Sequence, residues 1–537
     1  MTAVDIASSS AAAGTKQRPS VHTRALIIGT GFSGLGMAIA LQKQGIEFVV
    51  LEKAGSIGGT WRDNSYPGAA CDVPAHLYSF SFEPKSDWTH LFSYQREILT
   101  YLEAVTSKYD LHRHIVFGAK VVCAQWNEAN CRWHVHTDEG GEYIAQFLIS
   151  GAGALHIPSI PTIDGLETFD GPVFHSAQWR HDVDLTHKRV AVIGTGASAV
   201  QLVPEIVGRV SKLQLYQRTP AWVLPRSNVE MPRLVREALK RIPGARAALR
   251  AGIYWSAEGG AYAMNRRPSL LKAVEVLGRR HIKRTIADPE LRRKLTPDYR
   301  PGCKRLLGSN GYYQAIDSTK TELITDGISS VTANGIVAAD GTHRPVDVIV
   351  LATGFHVTDS YRHIDITGPR KENLGQRWTR AGVTAHRGTT VTDMPNLFLL
   401  LGPNTGLGHT SVVFMIESQI HYAIEAIKTV DSEGADAIAP LKSAQDRFNE
   451  ALQQGLARSV WNSGGCWSWY LDEHGHNRTL WSGFTWQYWL STRKVKREEY
   501  RLLTARHPRV RMTVPAADGP CKRSPSPYPI KLGQRRK

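Results

Sequence analysis

Two glycine-rich turns of one kind lie about 165 residues apart in this chain of 537 residues, and each stands where a strand runs into a helix. The first, Gly29-Thr30-Gly31-Phe32-Ser33-Gly34, follows the apolar run Ala25 to Ile28. It opens a segment whose apolar and small residues fit a helix, Leu35 to Gln44, and the next strand, Phe48 to Leu51, ends in Glu52. Glycines permit a tight turn and let backbone N–H groups approach a pyrophosphate at the helix N-terminus, while an acid about 20 residues on can hold a ribose hydroxyl. A glycine-rich loop alone is often only a turn. In the order strand, turn, helix, strand, acid it reads as a dinucleotide site.

The second turn, Gly194-Thr195-Gly196-Ala197-Ser198-Ala199, follows the strand-like Arg189 to Ile193 and precedes a helical Val200 to Val207. Its next strand, Lys212 to Tyr216, ends without an acid and runs into Gln217-Arg218-Thr219. An acid there would repel a 2′-phosphate, whereas Arg can pair with one through two N–H groups. The first site therefore reads as FAD or NAD, and the second as NADP. The bland alternative for Arg218 is a solvated surface cation.

A bound flavin beside a nicotinamide implies electron transfer between them. Disulfide reductases do this with a redox-active cysteine pair, but Cys71, Cys123, Cys131, Cys303, Cys466 and Cys521 contain no C-x-x-C spacing. The electrons are expected to go to oxygen. The six cysteines read as reduced and unpaired, which suits a cytoplasmic protein. No run approaches 18 apolar residues, so a transmembrane helix is not expected, and the N-terminal stretch lacks the apolar core of a secretion signal.

The formal charge of +17 is unevenly placed: Arg233 to Arg305 holds 19 Lys or Arg against 6 Asp or Glu, with helix-forming composition as in Leu270 to Thr285. A solvated helical insertion is the favoured reading. A peripheral membrane contact is the sharper alternative, because basic amphipathic helices attract anionic lipid. No recognition motif accompanies the charge, so nucleic acid is not expected as a partner.

Between the turns, Phe169-Asp170-Gly171-Pro172-Val173-Phe174-His175-Ser176-Ala177-Gln178-Trp179 matches F-x-G-x-x-x-H-x-x-x-W. It resembles the fingerprint of Baeyer–Villiger monooxygenases, flavoproteins of class B. N- and S-oxygenating relatives usually carry Tyr or Phe where this chain has Trp179, and Arg180 departs from the family's usual Pro or Asp. Gly58-Gly59-Thr60-Trp61-Arg62 and Tyr66-Pro67-Gly68-Ala69-Ala70-Cys71-Asp72 resemble the family's flavin-facing segment, and Ala352-Thr353-Gly354-Phe355 its late motif. The resemblance covers about residues 22 to 500.

It implies FAD and NADPH as cofactors, a small ketone and O2 as substrates, and an ester or lactone product formed through a C4a-peroxyflavin. The runner-up is an N- or S-oxygenating enzyme of the same superfamily. Arg305, in Arg300-Pro301-Gly302-Cys303-Lys304-Arg305, sits where the family places its catalytic cation, which stabilises developing negative charge and never deprotonates. Asp72 matches the acid paired with it, and Lys304 a contact to the 2′-phosphate. Bare sequence would make these two cations surface charge and Asp72 a loop cap.

Thr60, Trp61 and Tyr78 correspond to flavin contacts, and His175 to a residue near the domain linker that couples the nucleotide domains. Six of the fourteen tryptophans fall between Trp461 and Trp489. An aromatic cluster of this kind is as much a core as a site, but Trp469 resembles one that closes over NADP and substrate. Cys466, His474 and His476 match no ligand spacing, so no metal is expected.

The expected fold class is α/β, with two Rossmann-like dinucleotide-binding domains and a helical insertion in the NADP domain. The FAD domain takes residues 22–157 and 391–514, and the NADP domain 158–222 and 303–390, around an insertion at 223–302. The strand-like Asp347 to Leu351 leaves the NADP domain, and Asn396 to Leu401 re-enters the FAD sheet. Thr410 or Ser411 caps a helix from Val412 to Ile427. Residues 1–21 and the Pro-, Lys- and Arg-rich 515–537 are expected to be disordered.

Overall fold

The computed structural model describes residues 20–505 apart from 227, 358 and 359, so most of both expected disordered ends lie outside it. The strand Val21–Ile28 starts one residue inside the segment expected to be disordered. Ala25 to Ile28 is buried on both faces, as the interior of a parallel sheet demands. It pairs in parallel with Phe48–Leu51 on one side and with Glu142–Ser150 on the other. The helix Phe32–Lys43 makes the crossover, and Gly45, at φ +66°, follows its end.

Glu142–Ser150 is shared between two arrangements. Its first half pairs antiparallel with Arg132–Thr137, and its last three residues pair in parallel with Met394–Leu399. The sheet thus begins parallel and peels into an antiparallel ribbon with Val121–Asn127.

The second sheet is parallel throughout, in the order Thr321–Ile324, Lys212–Tyr216, Arg189–Ile193, Val348–Leu351, Val173–His175. Both glycine turns therefore leave the carboxyl ends of parallel strands, where open α/β sheets bind ligands. Between the strands at 212–216 and 321–324 come the helices Arg233–Arg241, Ala245–Asn265, Lys272–Thr285 and Pro289–Leu295. The last starts as its sequence dictates: Asp288 accepts from the N–H groups of Glu290 and Leu291, with Pro289 at the first helical position.

Three differences from the sequence reading have physical causes. Asp365–Thr367 already pairs with Cys123–Gln125 in the first sheet, about 25 residues before the expected boundary. Ile366, Leu374, Trp378 and Val383 bury against Trp126 and Trp133 there, and a three-residue strand carries too little period to be read. Second, the cysteines are not all free. Cys303 and Cys466 form a disulfide, with Cα atoms 6.1 Å apart, and Cys123 is disulfide-bonded too. A separation of 163 residues hides such proximity from any spacing rule. Third, the helix capped by Ser411 runs on to Ser432, because its buried face continues through Val430. Among the described residues no helix is long and apolar enough to cross a membrane.

Candidate functional site

A cavity of about 1210 Å³ takes its walls from both nucleotide folds, the end of the insertion and the C-terminal segment. It brings together Thr60, Trp61, Asp72 and Tyr78 with Gly194, Thr195, Gly196, Ala197, Ser198, Arg218, Thr219, Lys304, Arg305 and Trp469. The side chains of Phe32 and Ser33 are buried behind it, with Gly29, Gly31, Gly34, Glu52 and Ala199 also outside its lining.

The first turn is built for close approach. A Cβ on Gly34 would stand 1.8 Å from the Gly29 carbonyl oxygen, so the helix can begin that near the strand only with glycine. Its N-cap, Gly31, supplies no side chain to the first-turn N–H groups, which suits a pyrophosphate there. Glu52 is fixed at the end of its strand: Oε2 accepts from Thr30 N (3.0 Å) and Oγ1 (2.6 Å), and Oε1 from Ala54 N and Arg62 Nη1 (both 3.0 Å). Trp61 Nε1 donates to Tyr78 Oη at 3.1 Å, and the Phe32 and Tyr78 rings meet edge-on at 5.1 Å. Burial holds the Tyr78 phenol protonated, so its hydrogen remains available to a ligand. Uncapped N–H groups, a short-side-chain turn and an oriented acid fit an FAD.

The second turn repeats the arrangement. Gly196 caps the helix Ala197–Ile206, again without a side-chain bond, and Thr195 Oγ1 donates to the Thr219 carbonyl at 2.9 Å. That bond ties the turn to the Arg218 loop. Burial and the nearby Arg218 charge pull the Lys304 ammonium below its usual range, while its Nζ lies 5.1 Å from the Tyr299 ring centroid. A Lys304 ammonium destabilised by a neighbouring cation is relieved by an anion bound between them. The 2′-phosphate of NADP has that charge.

Asp72 and Arg305 meet across the two folds. Arg305 Nη2 donates to Asp72 Oδ1 at 2.7 Å and Nε to Oδ2, while Nη1 reaches the Leu407 carbonyl at 3.3 Å. The side chains keep 32 % and 27 % of their surface exposed, and both line the cavity. Burial pushes the Asp72 carboxyl up, but the charge and hydrogen bonds of Arg305, with Arg226 beyond, outweigh it and hold the group below its usual value. In return Asp72 raises the guanidinium further, against burial. The pair stays ionised, and the guanidinium, with five N–H groups, has donors left over.

The fingerprint residues stand outside the cavity. His175 is fully buried, accepts from Ala177 N at 3.1 Å and meets the Phe355 ring edge-on at 5.5 Å. Burial lowers its pKa to about 4, partly offset by the Gly354 backbone, so the ring is neutral at neutral pH. Above it the two links between the sheets pair: Ser159 N donates to Gly354 O at 2.8 Å and His356 N to Ile157 O at 2.9 Å. Phe169 and Trp179 pack against the apolar clusters of the second fold. A Cβ on Gly171 would lie 2.4 Å from the Asp347 carbonyl oxygen. The motif thus packs beside the two links between the sheets.

Trp467 and Trp469 are 64 % and 46 % exposed, and both line the cavity. The disulfide joins the residue before Lys304-Arg305 to the residue before Trp467, so it ties the two segments that flank the opening. Among the described residues no group of three or more His, Cys, Asp or Glu could hold a metal. Sequence reasoning missed Arg226, whose Nη2 donates to Cys71 O at 2.7 Å while the guanidinium lies 3.7 Å over the Phe92 ring. It also missed Gln201 and the Leu407 carbonyl. An arginine in a polar loop, a helical glutamine and a backbone oxygen carry no signal of their own.

Residues 22–232 match the family model described as "FMO-like: Flavin-binding monooxygenase-like". The chain is 47 % identical over 485 residues to a Baeyer–Villiger monooxygenase of Pseudomonas aeruginosa, covering 90 % of this chain and 92 % of that one. Its structure is similar to cyclohexanone monooxygenase from Rhodococcus sp. Phi1 bound to NADP+, with a TM-score of 0.82 and 28 % identity over 91 % of this chain and all of the other. It is similar also to OTEMO in complex with FAD and NADP, with a TM-score of 0.81 and 25 % identity, covering 90 % of this chain and 100 % of that one.

Proposed function

The chain belongs to the Baeyer–Villiger monooxygenases, and we propose that it uses NADPH and O2 to insert one oxygen atom beside the carbonyl of a small ketone, giving an ester or lactone. The observation that carries this reading is the ion pair Asp72–Arg305, held in a cavity that two dinucleotide folds share. Bound FAD supplies acceptance of hydride from NADPH and delivery of one atom of O2, the other leaving as water.

The protein's own groups do the rest. The turn Gly29–Gly34 and Glu52 hold the flavin nucleotide, with Thr60, Trp61 and Tyr78 along its length. The turn Gly194–Ala199 takes the NADPH pyrophosphate, and Arg218, Thr219 and Lys304 its 2′-phosphate. Arg305 keeps a permanent positive charge where negative charge develops on the carbonyl oxygen, and Asp72 orients the planar fork. Trp467 and Trp469 limit water at the opening. Oxidation at nitrogen or sulfur needs no such oxyanion stabiliser, and Trp179 stands where N- and S-oxygenating relatives usually carry Tyr or Phe.

The test is a panel of cyclic, linear and aryl ketones, with amines and sulfides alongside, and products read by mass spectrometry against NADPH consumed. We expect ester or lactone, close to one per NADPH. NADPH should exceed NADH in kcat/KM by about tenfold or more, since charge-assisted pairs are worth about 1.5–3 kcal/mol each. Oxides of nitrogen or sulfur alone would overturn the reading.

A further inference from the structure

The helix that opens at the second glycine turn carries a side chain that reaches across to the other fold. Gln201 Oε1 accepts from Tyr66 Oη at 2.9 Å and from Ala70 N at 3.3 Å, and its Nε2 donates to Ala70 O at 2.9 Å. Its amide thus closes on both backbone groups of one residue, as a neighbouring strand would. The backbone is pressed in the same place: a Cβ on Gly68, at φ +79°, would lie 2.6 Å from the Gln201 carbonyl oxygen. Tyr66 and Ala69 count in the apolar core of the second fold, not the first. Segment 66–70 is therefore a graft of one fold onto the other.

The far end of that graft is Asp72. Its opposite edge is tied down by Cys71 N to Ser93 O at 2.9 Å and Gln95 N to Ala69 O at 2.8 Å. From Gln201 the route to the site is short: Ala70, then Cys71, whose carbonyl Arg226 holds, then Asp72 on Arg305. Gln201 lies one helical turn beyond Ala197 and Ser198, which line the same cavity. A displacement of the nicotinamide-side helix must move Ala70, because both amide groups would otherwise be left unpaired.

We infer that Gln201 is a positioning residue: it registers the NADPH-binding helix against the loop that presents Asp72 to Arg305. The inference rests on the function proposed above. Tyr66 is the second half of the device, with its phenol on Gln201 Oε1. Gln201 lines the cavity, but its amide bonds run to Tyr66 and Ala70 rather than to the cavity's cations, so its effect belongs in geometry rather than affinity.

The experiment compares the full-length protein with Gln201→Leu, which removes the amide, and Gln201→Glu, which keeps the acceptor for Tyr66 and Ala70 N but cannot donate to Ala70 O. The first readout needs no cofactor: hydrogen–deuterium exchange of the peptide spanning 66–72. We expect exchange there to speed on the order of tenfold or more in Gln201→Leu, for the loss of a half-buried pair of hydrogen bonds, and by less in Gln201→Glu. The second readout is transient kinetics of the FAD-loaded protein. NADPH affinity should stay near wild type, since Arg218 and Lys304 remain. Flavin reduction should slow on the order of tenfold, and a larger share of NADPH should end as hydrogen peroxide.

Unchanged exchange at 66–72 would overturn the contact. Faster exchange with wild-type reduction and coupling would overturn the positioning role, leaving Gln201 as packing alone. A wild-type protein that makes no ester from any ketone sinks the functional reading instead, and the exchange result still decides the contact. If Gln201→Leu does not fold, Gln201→Glu answers both arms.

Discussion

Arg305 is held at Nε and Nη2 by Asp72 and at Nη1 by Leu407 O, which aim its charge into the cavity. In the role proposed for it that placement counts, since a preorganised charge needs no reorganisation as an oxyanion forms. Arg305→Ala should therefore cut ester formation on the order of 100- to 1000-fold, the loss seen for one oxyanion donor, with a full charge at stake. FAD should stay bound, because Glu52 and the first turn lie elsewhere. Stopped-flow mixing of the reduced enzyme with oxygen and ketone, followed by product analysis, checks this. Arg305→Lys should rescue little, because a point charge lacks the fork that Asp72 holds at two nitrogens. At this scale the sequence was readable wherever a side chain had a motif around it. Arg305 and Asp72 fall in the family's register, and Arg218 stands where an acid would otherwise be. Gln201 and Arg226 were invisible for one physical reason: each acts on backbone carbonyls or amides, which any residue offers.

Elements were legible in proportion to their apolar period. Phe48–Leu51, Arg189–Ile193 and Lys212–Tyr216 fall on the residues expected, because continuous apolar runs bounded by turns leave little choice of register. Asp365–Thr367 was not legible, since three residues whose place is set by the burial of Ile366 leave no pattern. The disulfide is another feature of the assembled chain. It ties the Arg300–Arg305 segment to the tryptophan segment, reinforced by Arg300 N on Gly464 O at 2.9 Å. Closing a loop of 163 residues is worth on the order of 5 kcal/mol in the chain-entropy model, with about 2–4 typical of measured bridges. Cys303→Ser should lower the melting temperature by several degrees and loosen Trp467 and Trp469, seen as faster proteolysis between 464 and 480. A protein whose melting point does not respond to either a dithiol or this substitution would show that the bridge is not formed in solution.

The whole molecule buries titratable groups in states that acid must reverse. His175 and His386 are almost inaccessible, and both are lowered to about 4 from the ordinary 6.5. For His175 the cause is burial. For His386 it is burial and then the Arg387 charge, offset in part by Glu499 on its Nε2 at 3.1 Å. The sign follows from linkage. Unfolded, each imidazole takes a proton near pH 6.5, whereas folded it refuses one until about pH 4, so the unfolded state binds more protons between those values. Their contribution is full above pH 6.5, falls as the pH drops through that window, and is gone below about 4.

The gap is on the order of 3 kcal/mol per histidine, at 1.36 kcal/mol for each pH unit between the two values. Asp72, lowered, acts in the same direction only at still lower pH. Glu417, which burial raises, opposes it by taking a proton more readily in the fold. His156, lowered to about 4 by burial and then by the Lys53 charge, and His76 and His134, lowered chiefly by burial, act in the same direction as His175 and His386. With five lowered histidines against one raised carboxyl, the melting temperature should be flat from pH 8 to 7 and fall steadily from 6.5 toward 4.5 at constant ionic strength. His175→Gln should lower the plateau, since the Ala177 N–H loses the ring nitrogen that accepts from it, yet flatten the slope by up to about a third because one of the three histidines lowered to about 4 is gone. An equally steep slope in His175→Gln would show that His175 titrates like an exposed imidazole. It would then not be the neutral, buried ring that packs against Phe355 beside the paired links between the two folds.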